Sequence, residues 1–157
     1  MENYLNILED SLNKKIKLLD RIYECNEKQK ASLGDVDGPL SQFDDYLEEK
    51  EELIAELSRL DEGFETVYEK VAQILKDNKE AYANQIARMQ QAIRTITEKT
   101  VLVQSQEARL KEMISKYFAA NRKKNQEHKR SANIAMNYYK AQNNAGGDFS
   151  RFIDDKQ

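Results

Sequence analysis

The chain is predicted to be all-α: an antiparallel three-helix bundle with long coiled-coil-like helices and a flexible or short-helical C-terminal tail. Apolar residues recur at three- and four-residue steps through three long stretches, the periodicity of one helical face. Charged residues make up 34% of the 157 positions and fill the places between. One proline and five glycines leave little of the punctuation that strands require.

The first stripe reads Leu5, Leu8, Leu12, Ile16, Leu19, Ile22 and Tyr23, which predicts a helix from Glu2 to Ala31. It stops at Leu33-Gly34-Asp-Val-Asp-Gly38-Pro39, where two glycines and the only proline break helical geometry. Pro39 suits the first turn of the next helix, because its missing N–H would have no intrahelical partner there.

The second stripe, Phe43, Leu47, Ile54, Leu57, Leu60, Phe64, Val67, Val71 and Ile74, predicts a helix from Leu40 to Lys76. Gly63 is the competing position for the reversal, although a glycine inside a helix costs roughly 1 kcal/mol without ending it. The third stripe runs through Ile86, Met89, Ile93, Ile96, Val103, Leu110, Ile114 and Tyr117, within a helix from Asn78 to Asn121. Asp77 and Glu80 have capping-box spacing, and the apolar phase slips by one residue there, so the reversal is expected near Lys76 to Asn78. Leu12, Leu19, Leu57, Phe64, Ile93 and Leu110 are the expected core.

Residues 1–121 therefore read as the bundle and 122–157 as a partner-binding tail. The tail holds Ile134, Met136, Tyr138, Tyr139, Phe149, Phe152 and Ile153, separated by polar residues and by Gly146-Gly147. Backbone entropy lost on ordering the whole segment exceeds what seven scattered apolar anchors return. The tail is thus expected to fold on a partner, with little effect on stability if Ser131 to Gln157 is deleted. The alternative is that Ile134, Met136 and Tyr139 fold back onto the bundle.

Net charge is −3 overall, but the balance runs from −10 over Met1–Ala81 to +3 over Tyr82–Ala120 and +4 over Asn121–Gln157. Oppositely charged halves favour antiparallel packing. Arg122-Lys123-Lys124 with Lys129-Arg130 is a short cationic run in a chain of pI near 5.4, which argues against nucleic acid as a partner. No stretch has the length and apolarity of a membrane span, and Met1-Glu-Asn-Tyr has neither a basic nor an apolar leader region, so a cytoplasmic location without membrane insertion is expected.

Phosphate loops, paired cysteines and His-Glu-x-x-His spacing do not occur, so neither an enzyme nor a metal or cofactor site is expected. His128 among Lys124, Lys129 and Arg130 reads as a surface residue, and Cys25, beside the apolar face, as a small hydrophobe. Glu48-Glu49-Lys50-Glu51-Glu52 reads as solvated surface, since consecutive residues point in different directions around a helix.

The order of features resembles the FlgN family of flagellar export chaperones, in the form found in Gram-positive bacteria. The residues carrying it are Glu48-Glu-Lys50-Glu-Glu-Leu53-Ile54-Ala-Glu-Leu57-Ser-Arg-Leu60-Asp61-Glu62-Gly63-Phe64-Glu65, then Ile96-Thr-Glu-Lys-Thr, then the closing Phe152-Ile153-Asp154-Asp-Lys. The resemblance spans nearly the whole chain and departs from many relatives in the third helix, where Gln104-Ser-Gln106-Glu107 stands in place of asparagines. It implies a cytoplasmic chaperone that binds hook-filament junction (hook-associated) proteins, prevents their premature assembly and delivers them to the cytosolic domain of the flagellar type III export gate. On that basis the tail residues named above would hold the substrate, with Tyr138 or Tyr139 docking on the gate. A structural coiled-coil adaptor that self-associates, as a homodimer, is the competing class.

Overall fold

The computed structural model describes residues 2–33, 41–120, 131 and 133–141, and all of its regular elements among them are helices. They are α1 (Glu2–Leu33), α2 (Ser41–Asp77), α3 (Ala83–Ala120) and a short α4 (133–141). None is long and apolar enough to cross a membrane. The expected break at Gly34, Gly38 and Pro39, the cations from Arg122 to Arg130 with His128, and Phe149, Phe152 and Ile153 lie outside the described residues.

Each long helix presents a face stepped alternately by three and four residues. In α1 this face is Leu5, Leu8, Leu12, Lys15, Leu19, Ile22, Asn26, Gln29 and Leu33, all buried. A strict seven-residue repeat of this kind winds helices left-handedly around one another. The backbone of α1 packs closely on both α2 and α3.

Directions follow from the side-chain pairs. Gln85 donates to Asn6, Arg88 to Glu9, Lys99 to Asp20 and Gln106 to Glu27, each pair being 79 positions apart, so α3 runs parallel to α1 in unbroken register over three heptads. Lys15 pairs with Asp61 and Arg21 with Glu49, the opposite order, so α2 runs against α1.

Two hydrophobic clusters are stacked along the bundle. One joins the first three-quarters of α1, through Cys25, to Leu53, Leu57, Phe64 and Val71 of α2 and to Met89, Ala92 and Ile96 of α3. The other gathers Leu33, Phe43, Leu47, Leu110, Ile114 and Tyr117 with Ala135, Tyr138 and Tyr139 of α4. Between them along all three long helices come buried polar residues: Asn26 and Gln29, then Lys50, then Thr100.

Several expectations are corrected. The second reversal lies at residues 78–82, not Lys76 to Asn78, and Asp77 closes α2 instead of opening α3. Its carboxylate accepts from Gln73, the Asn78 amide bonds the Leu75 carbonyl and the Asn78 side chain bonds the Ile74 carbonyl; together these finish α2. The Tyr82 carbonyl receives the first amide of α3, from Ile86. Ile93 is half-buried because Ala92 takes the inward place at that turn. Tyr23 and Ile74 are exposed, and Lys50 is fully buried within a segment expected to be surface.

Candidate partner-binding site at the fourth helix

Burying a lysine costs several kcal/mol unless a counter-charge and hydrogen bonds replace its water. Lys50 is 0% exposed, and its Nζ lies 2.9 Å from Oε1 of Glu107. The Tyr138 hydroxyl donates to that same oxygen at 3.0 Å, and the Lys50 ammonium stands 4.5 Å from the centre of the Tyr138 ring. One carboxylate of α3 thus ties α2 to α4, and the ammonium adds a cation–π contact.

The sequence 135–139 explains why α4 sits as it does. Ala135, Tyr138 and Tyr139 are spaced i, i+3, i+4 and form one buried stripe. Ala135 lets the helix approach closely, while the two tyrosine rings meet edge to face with centroids 5.0 Å apart. Ahead of them the Ser131 hydroxyl donates to Asp44 near the start of α2, at 2.9 Å.

Electrostatics follow burial. Loss of water pulls Lys50 below the usual lysine range, against the opposing pull of Glu107. Burial, reinforced by the Glu107 carboxylate, pushes both Tyr138 and Tyr139 above the usual phenol range, so both hydroxyls stay protonated. Around this point some buried polar atoms have no hydrogen-bond partner among the described residues: both side-chain amide atoms of Gln29, Oδ1 of Asn26, Oε2 of Glu107 and the Tyr139 hydroxyl.

The site residues expected from sequence separate into three groups. Tyr138 and Tyr139 face the bundle and are almost fully enclosed. Ile134 and Met136, 37% and 59% exposed, flank the buried stripe on its two sides, since two residues turn the helix by about 200°. Phe149, Phe152 and Ile153 lie outside the described residues. Four residues brought to this junction were missed: Lys50, Glu107, Asn26 and Gln29. The signal for them was present, because each falls on the three-four stride of its helix.

A cavity of about 210 Å³ between α1 and α3 is lined by Leu19, Asp20, Tyr23, Lys99, Leu102 and Val103. Cys25 is buried, and its thiol is pushed up to about 11 by burial, with the Glu49 carboxylate adding to the shift. A neutral thiol is a poor nucleophile.

No family model, curated protein or solved structure matches the chain. The functional reading therefore rests on the sequence resemblance and on this geometry.

Proposed function

We propose that the chain is a cytoplasmic export chaperone that captures hook-filament junction proteins and hands them to the flagellar export gate, with the three long helices acting as a three-helix platform and α4 as the binding element. The observation that carries this reading is the division of α4: Ala135, Tyr138 and Tyr139 hold it to the platform, while Ile134 and Met136 stay uncovered on its flanks. A partner's amphipathic helix laid beside α4 would cover one of these flanks and extend the second hydrophobic cluster, the helix-in-groove mode of recognition.

In this reading Ile134 and Met136 meet the substrate first, and Tyr138 and Tyr139 act by setting the position of α4. Calorimetric titration of the intact chain with purified junction proteins from the same cell tests it. Saturable binding of at least one of them, lost when Ile134 or Met136 becomes aspartate, is the expected result. Absence of binding to every junction protein would remove the chaperone reading.

A further inference from the structure

The seam between α2 and α3 is open. No Cα of α2 lies within 8 Å of a Cα of α3, whereas α1 packs closely on both, so only side chains bridge this side of the bundle. At one end α4 fills the opening, with Ala135, Tyr138 and Tyr139 in the second cluster. Beyond α4, Ile54 and Tyr68 of α2 and Ile86 and Ile93 of α3 stay half-buried, and Ile54 borders both clusters. The seam is thus a continuation of the seat of α4, the place a fourth helix takes in a four-helix bundle.

The direction of α4 decides what can reach it. Ser131 bonds Asp44, and seven residues later the Tyr138 ring meets the Lys50 ammonium, so this segment runs along α2 in the same direction and nearly residue for residue. Its helical end at 141 therefore lies about level with Leu53 and Ile54, where the half-buried part of the seam begins. Residues 142–157 continue from that point.

Those residues repeat the pattern that seats α4. Ala135, Tyr138 and Tyr139 recur as Phe149, Phe152 and Ile153, each two heptads further on and so in the same helical phase. Two heptads along α2 from Lys50 is Phe64, one turn from Tyr68, so the second set falls due at the half-buried residues. The eight steps from 141 to 149 cover about 12 Å as a helix and about 26 Å extended, so Gly146-Gly147 can leave helical geometry without loss of reach.

We propose that the seam between α2 and α3 is a docking site for the chain's own closing segment, which sets Phe149, Phe152 and Ile153 between Tyr68 and Ile93. The three large side chains cover apolar surface that α4 leaves half open. Being tethered at 141, the segment meets the seam at a high effective concentration, an advantage that no foreign helix of similar apolarity has. So occupied, the seam is closed to a partner's helix until the two phenylalanines leave it.

Paramagnetic relaxation in the full chain tests this, with a nitroxide carried on Asp155→Cys; Cys25 is buried, so labelling of the folded chain goes to the new thiol. Amides of α2 around Asp61 to Ala72 and of α3 around Ile86 to Ile93 should be the most strongly broadened. Adding Phe149→Asp and Phe152→Asp should reduce that broadening severalfold while the bundle's own resonances stay in place. Broadening that misses the seam, or that the two aspartates leave unchanged, would overturn the proposal. So would equal broadening when the spin label and the observed nuclei are placed on different molecules, since the occupant would then be a second copy.

Discussion

Lys50 of α2 and Glu107 of α3 meet at 2.9 Å with the lysine fully enclosed, and the oxygen they share is the one that receives Tyr138 of α4. Removing one member leaves a buried charge unpaired, so Lys50→Ala or Glu107→Ala should each lower unfolding free energy by about 3 kcal/mol or more in urea titrations. Lys50→Met combined with Glu107→Leu should cost much less than either. Equal losses for the single and double variants would mean that the pair is better hydrated than its burial indicates.

Deleting Ser131 to Gln157 should reduce stability by about 3 kcal/mol or more, since it removes two enclosed tyrosines and their hydroxyl contact with Glu107. The opposite expectation from sequence sets the entropy of the whole tail against its anchors, whereas the described contacts need only the nine residues 133–141, packed on apolar partners the bundle already supplies. A melting temperature unchanged by the deletion would return the tail to its role as a purely external element.

Most of the fold was legible because the stride is unbroken. Phe43, Leu47, Lys50, Ile54, Leu57, Asp61, Phe64, Tyr68, Val71 and Leu75 continue it through α2, and Ile96, Thr100, Val103, Glu107, Leu110, Ile114 and Tyr117 through α3. Counting apolar residues alone hid the polar members: Lys15, Asn26 and Gln29 in α1, Lys50 and Asp61 in α2, Thr100 and Glu107 in α3. Phase, and not polarity, decided their burial. The seating of α4 was not legible, because three residues at 135, 138 and 139 make too short a pattern to say what they face. The turn was misplaced by a few residues because Asp77 and Glu80 have the spacing of a helix start while Asp77 and Asn78 serve a helix end.

Gln29 gives a separate test of that polar layer. Its side chain is 0% exposed with neither amide atom bonded within the described residues, an arrangement that costs about 1–3 kcal/mol per unsatisfied group. Gln29→Leu should therefore raise stability by roughly 1 kcal/mol or more, measured by urea unfolding. A loss would mean that ordered water or a register-fixing contact satisfies the amide.

Gly63 lies on the exposed face of α2, and a Cβ built there meets nothing within 4 Å. Gly63→Ala should stabilise the chain by about 0.5–1 kcal/mol through helix propensity and a less flexible unfolded chain. A melting temperature that falls would contradict the open, regularly helical surroundings of Gly63.

Alkaline pH should expose Cys25. Its folded thiol, pushed up to about 11, keeps a proton that the unfolded chain loses near its ordinary value of 9.0. Stability from this group is complete below about pH 9 and declines as pH rises toward 11, because the unfolded state then binds fewer protons. Tyr138 and Tyr139 act in the same direction above the phenol range, while Lys15 and Lys50, both lowered by burial, act against it. Comparing Cys25→Ala with the unmodified chain isolates the thiol: the variant should lose less stability between about pH 8 and about pH 10.5. Identical losses would show that Cys25 ionises without resistance in the fold.

The proposed partner-binding role of α4 is tested most directly by titrating a hook-filament junction protein into the chain carrying Ile134→Asp and Met136→Asp. Both side chains are exposed, so the melting temperature should stay within a degree or two of the unmodified chain while binding weakens by about 2 kcal/mol or more. Binding equal to that of the unmodified chain, with the fold equally intact, would contradict the assignment of the substrate to this helix.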